Sequence, residues 1–367
     1  MPIAVSGSNI VFADGSSIAS GFTGFKNRII NGAMVVDQRN AGGSVNPADG
    51  AYTLDRWKML MYNSASKYTV QQNAGSVTPP AGFGNYMGIT SSSAYSVAST
   101  DLYGIQQRIE GFNTSDLSWG TANAKTVTLS FWVRSSLTGT FGGSLMNNAG
   151  NRSYPFSYTI NSANTWEYET ITIPGDTSGT WVGATNGIGM VLYLMIGTGS
   201  TFGGTAGAWA AGEKYAPTGA TSVVGTNGAT FYITGVQLEA GSSATSFEYR
   251  PFTTELQLCQ RYYCKTYNIG VVPGTVDGNG SIGGSGTGNL YRPIVNWSYP
   301  VQMRATPTIT FYSPSTGTIG KARDDNSGAD LDATSYRTGT SGTRWYPVSQ
   351  PASGNDIFAQ VVASIEL

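Results

Sequence analysis

The chain has 367 residues, enough for two or three domains, with 40% hydrophobic residues to fill cores but only 11% charged ones. A formal net charge of −1 excludes electrostatic attraction to nucleic acid or to an anionic membrane, and the lack of histidine removes the commonest general base and metal ligand. Because 12% of the residues are aromatic, low charge here means not disorder but a surface of Ser, Thr, Asn, Gln and Gly, suited to packed assemblies and neutral ligands such as sugars.

Residues 1–25 read as a separate N-terminal arm. Ile10, Val11 and Phe12 precede an Asp14-Gly15 turn, and so short a piece is expected to dock onto another surface. Its opening, MPIAVSGSNIVF, lacks the basic and apolar regions of a signal peptide, and no run of 18 apolar residues marks a membrane span.

Strand-like runs then recur between Gly-rich turns: TVTLSFWVR (126–134), YPFSYTI (154–160), WEYETITI (166–173), IGMVLYLMI (188–196), ATFYITGVQLE (229–239) and TPTITFY (306–312). In the first, Val127, Leu129, Phe131 and Val133 alternate with Thr128, Ser130 and Trp132, the period of a half-buried strand. The fold class is therefore all-β: a jelly-roll sandwich over 26–252, a short connector helix over 253–268, and a distal β-sandwich over 269–367. The helix is read from TTELQLCQRYYCKTY, with Thr253 or Thr254 as cap and Leu256, Cys259, Gln260 and Tyr263 on one face. Cys259 and Cys264, five apart on such a helix, point to opposite sides, so no internal disulfide is expected and the chain reads as made in a reducing cytoplasm. The stretch GTVDGNGSIGGSGTGN (274–289) reads as a mobile loop or turn cluster.

Four segments together resemble tail-fibre and tail-tip proteins of tailed phages, including those of cyanobacteria: FADGSSIASG (12–21); NRIINGAMVVDQRNAG (27–42) with YTLDRW (52–57); FYITGVQLEAGSSATSFEYRPFTTELQLCQRYYCKTY (231–267); and PVQMRATPTITFYSP (300–314). Within that resemblance the first sandwich is similar to carbohydrate-binding modules, NGAM (31–34) to their opening strand and FYITGVQLE (231–239) to their closing one. Many such modules hold a structural calcium through an acid in each of those strands. Met34 and Thr234 stand there instead, Asp37 and Glu239 being the nearest acids, so no metal or other cofactor is expected.

The resemblance implies a homotrimeric tail-fibre or baseplate-associated protein in the virion tail. Its arm would hold other tail or baseplate proteins, and its body would recognise host cell-surface polysaccharide. A purely structural virion component is the alternative, and a free secreted lectin the third reading. Receptor contact is placed first in the distal unit, on Trp297, Tyr299, Trp345 and Tyr346 beside loops 274–289 and 323–332. The rival place is the jelly-roll face carrying Trp132, Arg134, Tyr168 and Tyr193. The same aromatics would otherwise fill a core or a subunit interface.

The remaining constellations read as structural. Asp55 or Arg56 of YTLDRW is expected in a buried ion pair beside Trp57. RDDNSGADLD (323–332) is dense in oxygen ligands but lacks the closing Glu of an EF-hand, and reads as an exposed acidic loop. Glu167 and Glu169 share a strand face and read as solvated. No pair of acids stands within a motif, so no catalytic residue is assigned and no enzyme is expected.

Overall fold

The computed structural model describes residues 25–63, 65–285, 293–349, 351 and 354–367, together with three short strands of the arm, Ala4–Ser6, Asn9–Val11 and Ser17–Ala19, which form an antiparallel meander. Asp14-Gly15 lies outside the described residues. No helix among them is long and apolar enough to cross a membrane.

Among the described residues the chain is all-β with one short α-helix. Ten strands build the first sandwich: β1 (Lys58–Tyr62), β2 (Tyr68–Gln72), β3 (Met87–Ser91), β4 (Leu102–Glu110), β5 (Val127–Ser135), β6 (Gly139–Met146), β7 (Arg152–Ile160), β8 (Glu167–Ile173), β9 (Ile188–Thr198) and β10 (Thr230–Ala240). Sheet 1 runs β7-β6-β9-β4-β1, with Ala210–Ala211 added beside β7; sheet 2 runs β8-β5-β10-β3-β2. All these pairings are antiparallel. Val127, Leu129, Phe131 and Val133 of β5 point inward and meet Phe141, Phe156 and Phe231 in the shared core.

The opening segment differs from its reading as a strand. Arg28 N donates to Leu238 O (2.8 Å) and Val236 N to Gly32 O (3.0 Å), so residues 28–32 do lie along β10. NGAM itself turns away: Asn31 and Met34 have φ of 58° and 57°, and Met34 N donates back to Asn31 O. The Asn31 amide fixes that turn by donating to the carbonyls of Val36 and Asp55.

The helix is also shorter than read. It spans Phe252–Gln260 (α1), with Pro251 at its N-cap and no side-chain cap from Thr253 or Thr254. Tyr263–Lys265 is a strand, β11, because its backbone finds partners at Ser364, Ala363 and Val362, a long-range pairing that overrides local pattern. Cys259 therefore sits on the helix and Cys264 on the strand, both buried, and burial raises both thiols above their ordinary value.

The distal unit adds β12 (Ile282–Ser285), β13 (Val295–Ser298), β14 (Thr308–Tyr312), β15 (Lys321–Asp324), β16 (Ala329–Tyr336), β17 (Gly342–Pro347) and β18 (Asp356–Ser364). Part of the Gly-rich stretch is thus a strand, β12, while 286–289 lie outside the described residues. β18 is the organiser: it pairs with β11, β12, β14 and β15, and β16, β17 and β13 continue from β15. This single bonded network closes over Val295, Phe311, Ala322, Trp345, Ile357, Ala359 and Val361.

Buried charge joins the first sandwich to the distal sheet. Arg56, only 1% exposed, pairs with Glu366 near the end of β18 and lies 3.5 Å from the centre of the Tyr262 ring. Arg39 bridges Glu366 (2.6 Å) and Asp55 (3.3 Å), and Arg261 pairs with Glu110 (2.9 Å). Asn186 and Arg304 exchange two further bonds, of 2.7 and 2.9 Å. The YTLDRW motif is accordingly structural, and both of its charges are used.

Burial pushes Asp55 up to about 6, against the opposing pull of Arg39 and two bonds from Gln38. A carboxyl raised in the folded state binds its proton there before the unfolded chain does, so its contribution to stability falls as pH rises from about 4 to 6. Asp55→Asn removes that dependence. Whatever the variant's constant cost, it should gain on the wild type across this window, by on the order of 2–3 kcal/mol. Urea midpoints of both proteins at pH 4, 5, 6 and 7 check this, and a gap that stays constant or widens against the variant would refute it.

Candidate functional site

The outer face of sheet 2 carries a groove built by register. Tyr168 pairs with Trp132, which pairs with Thr234; the next outward row is Thr170, Ser130 and Gln237, and the next Thr172, Thr128 and Glu239. One face thus grades from aromatic to hydroxyl along the strands. Trp132 and Tyr168 lie 5.2 Å apart, and Tyr168 is 44% exposed.

A strap, residues 242–249, covers the β10 side of this face and makes the groove's wall. Glu239 accepts from Gln237 Nε2 (2.8 Å), Thr245 N (2.9 Å) and Thr245 Oγ1 (2.6 Å), and Gln237 Oε1 accepts from Glu248 N (2.8 Å). Satisfied in this way, the two buried polar side chains fix the strap's height above the sheet. Phe247 and Tyr249 then pack with Phe83, at centroid separations of 5.1 Å for Phe83–Phe247 and 4.9 Å for Phe247–Tyr249. Phe83 rests on Gly235, which has φ of +63°; a β-carbon there would come within 2.6 Å of the ring. The glycine both permits the bulge in β10 and admits the ring.

Two adjoining cavities result. One, about 370 Å³, is lined by Phe83, Trp132, Tyr168, Phe247, Tyr249 and Ser130 among others; the second, about 580 Å³, by Thr128, Tyr168, Thr170, Thr172 and residues 242–246. Tyr168 and Ser246 belong to both. No residue lining either cavity carries a charge, so the lining offers rings for stacking and hydroxyls for hydrogen bonding. Arg134 stands one row beyond Trp132. Its Nε donates to Asn164 O (2.9 Å) and its guanidinium lies 5.4 Å from the Tyr232 ring centre, at the edge of a second aromatic group, Tyr86, Trp166 and Tyr232.

The other sequence candidates are not brought to this groove. Tyr193 is on the outer face of sheet 1, 7% exposed and edge-on to Tyr215 at 4.8 Å under the 199–220 loops, so it is covered and not presented. In the distal unit Trp345 is fully buried against Phe311, and Tyr299 is 7% exposed beside the half-buried Trp297. A small sheet needs its largest side chains to fill its interior, and the alternation Thr343, Trp345, Pro347 inward against Arg344 and Tyr346 outward shows which way they point. Tyr346 faces outward and packs on Tyr336 at 5.3 Å.

Of the two acids read as solvated, Glu167 has definite partners. Glu167 is lowered: burial alone would raise it, but the N–H groups of Asn161 and Ser162 and the Asn161 amide outweigh that. Glu169 is raised, by burial and then by Glu167. Asp324 is buried under the 325–328 turn, accepting from Ser327 N and the Asn355 amide, while residues 325–329 and Asp332 of that loop are exposed. Asp37 accepts from the backbone of Asn40 and Gly42 within its own turn, and Glu239 holds the strap. The two acids nearest the expected calcium positions therefore serve different local structures. Met34 is buried, and Thr234 Oγ1 donates to Asn85 O (2.7 Å).

No protein-family model matches the chain, and no curated protein sequence matches it. Solved structures similar to it include the enzymatically active domain of bacteriophage CBA120 tailspike protein 4, at 12% identity and a TM-score of 0.32, covering 59% of this chain and 21% of that one. A family 11 carbohydrate-binding module from a Clostridium thermocellum cellulase has 13% identity and a TM-score of 0.26, over 55% of this chain and 97% of that one. A tandem of two carbohydrate-binding modules from Paenibacillus barcinonensis Xyn10C has 10% identity and a TM-score of 0.27, over 89% and 99%. At these values the likeness carries no argument about the groove.

Proposed function

We propose that this chain is a non-catalytic adhesin of a phage tail that holds a neutral surface polysaccharide in the groove over sheet 2. The observation that carries the reading is the groove's chemistry: an uncharged channel with tryptophan, tyrosine and phenylalanine rings at one end and serine and threonine hydroxyls along the rest. Rings stack on the C–H faces of sugars, and hydroxyls exchange hydrogen bonds with theirs. Large rigid side chains give contact area at low entropy cost. Tail-fibre or baseplate attachment through the arm, location in the virion tail and a homotrimeric state belong to the same proposal, which the sequence resemblance supports. Three copies would turn weak sugar contacts into avid adhesion.

Two measurements test it. Intact protein on an array of bacterial surface polysaccharides should bind a neutral glycan. Binding to none of them would favour the purely structural virion component. Light scattering should give three times the 38.6 kDa chain mass, and a value equal to one chain would remove the trimer.

A further inference from the structure

The two distal loops singled out in the sequence meet around a cleft of about 500 Å³, separate from the groove over sheet 2. Val276, Gly278 and Ser281 line it from the first loop, Asp325 from the turn between β15 and β16, Pro314 and Ser315 from the turn after β14, and Phe358 from β18. β18 holds both walls in place. Gln360 Nε2 donates to the carbonyls of Asp277 (2.9 Å) and Asn279 (2.7 Å), and Asp325 N donates to Asp356 O (3.0 Å). Phe358 lies over Gly283, where a β-carbon would approach its ring to 2.4 Å, so the close fit of β12 on β18 sets the ring's position.

The charges around the cleft differ in one respect. Asp277 accepts from Asn279, Asp324 from Asn355 and two backbone N–H groups, Asp330 from Ser313 and Thr316, Asp332 from Lys321, and Asp356 from Ser285. The nearest cations are engaged as well, Lys321 by Asp332 and Arg323 by Asp330. Among the described residues the Asp325 carboxylate alone of these acids has no partner, and it lines a cleft with an aromatic ring and two serine hydroxyls, of which that of Ser281 donates to Gly278 O (2.8 Å) and has its lone pairs left to accept.

We propose that this cleft binds an amino sugar. Asp325 takes the ammonium and an adjacent hydroxyl, the ring of Phe358 takes the C–H face, and Ser281 and Ser315 take further hydroxyls. A single unpaired carboxylate favours a cationic sugar over a neutral one and repels a uronic acid. The uncharged groove over sheet 2 makes no such choice.

Saturation-transfer NMR on the full chain at neutral pH tests this, with glucosamine, glucose and glucuronic acid as probes. In the Trp132→Ala background, which disables the groove over sheet 2, glucosamine should bind at least fivefold more tightly than glucose, and glucuronic acid should not bind. Asp325→Asn, an exposed and nearly isosteric change, should weaken glucosamine at least fivefold, and Phe358→Leu should weaken both glucosamine and glucose. Trp132→Ala should retain a glucosamine site that Asp325→Asn weakens. Absence of glucosamine binding, equal binding by Asp325→Asn, or loss of binding in Trp132→Ala instead would each overturn the assignment. Because the last two variants address different clefts, failure here is distinguishable from failure of the groove over sheet 2.

Discussion

Arg56→Ala should cost about 3–5 kcal/mol of stability, the largest single-residue effect expected in this chain. The guanidinium is almost wholly inside the protein, pairs with Glu366, donates to Arg108 O (2.7 Å) and lies on the Tyr262 ring. Its removal leaves Glu366 desolvated with one cation, Arg39, in place of two. It also strips the contact that joins the first sandwich to the end of β18. The loss should appear as a lower urea midpoint and as faster amide exchange in β11 and β18, the strands nearest the junction. The double variant Arg56→Met with Glu366→Gln should recover part of the loss, because removing both charges also removes the cost of burying them. An unchanged midpoint in Arg56→Ala, or a double variant no better than the single one, would show that the network is not what holds the first sandwich to the distal sheet.

The second large effect is on binding. Trp132→Ala should weaken the polysaccharide selected on the array by tenfold or more, equivalent to about 1.4 kcal/mol, with little change in folding stability. Trp132 is half-buried on the outer face, and its neighbours across the strands, Tyr168 and Thr234, are held by register and not by the indole. Tyr168→Ala should behave similarly, since that ring borders both cavities, whereas Tyr193→Phe and Tyr346→Ala should leave affinity unchanged. Equal binding by Trp132→Ala and wild type, with both shown folded, would move the ligand off this face.

Much of the architecture was legible in local pattern. Alternation in 127–133 gave both the inward row and the outward Trp132, and the six strand-like runs are all strands. Tyr193, grouped in the sequence with Trp132 on one jelly-roll face, lies instead on the other sheet, and an outer face is open only if nothing folds over it. Loops 199–220 cover sheet 1 there, while the strap 242–249 covers only part of sheet 2. Local pattern also overextended the helix. Nothing within CQRYYCKTY reveals that its second half pairs with a strand about a hundred residues later.

What the sequence determined alone was therefore the all-β class, the strands, the charge-poor composition and the aromatics available for stacking, because these follow from residue type and spacing within about ten positions. Only the tertiary structure decided which aromatics meet. Phe83, Trp132, Tyr168 and the pair Phe247 and Tyr249 come from four separated stretches, joined by the bulge at Gly235 and the bonds of Gln237 and Glu239, while Trp345 turned inward to fill a small core. It also decided that Arg56 and Glu366, 310 residues apart, share one buried pair. Such choices depend on long-range pairing and on what covers each face, and neither is written in a strand's own periodicity.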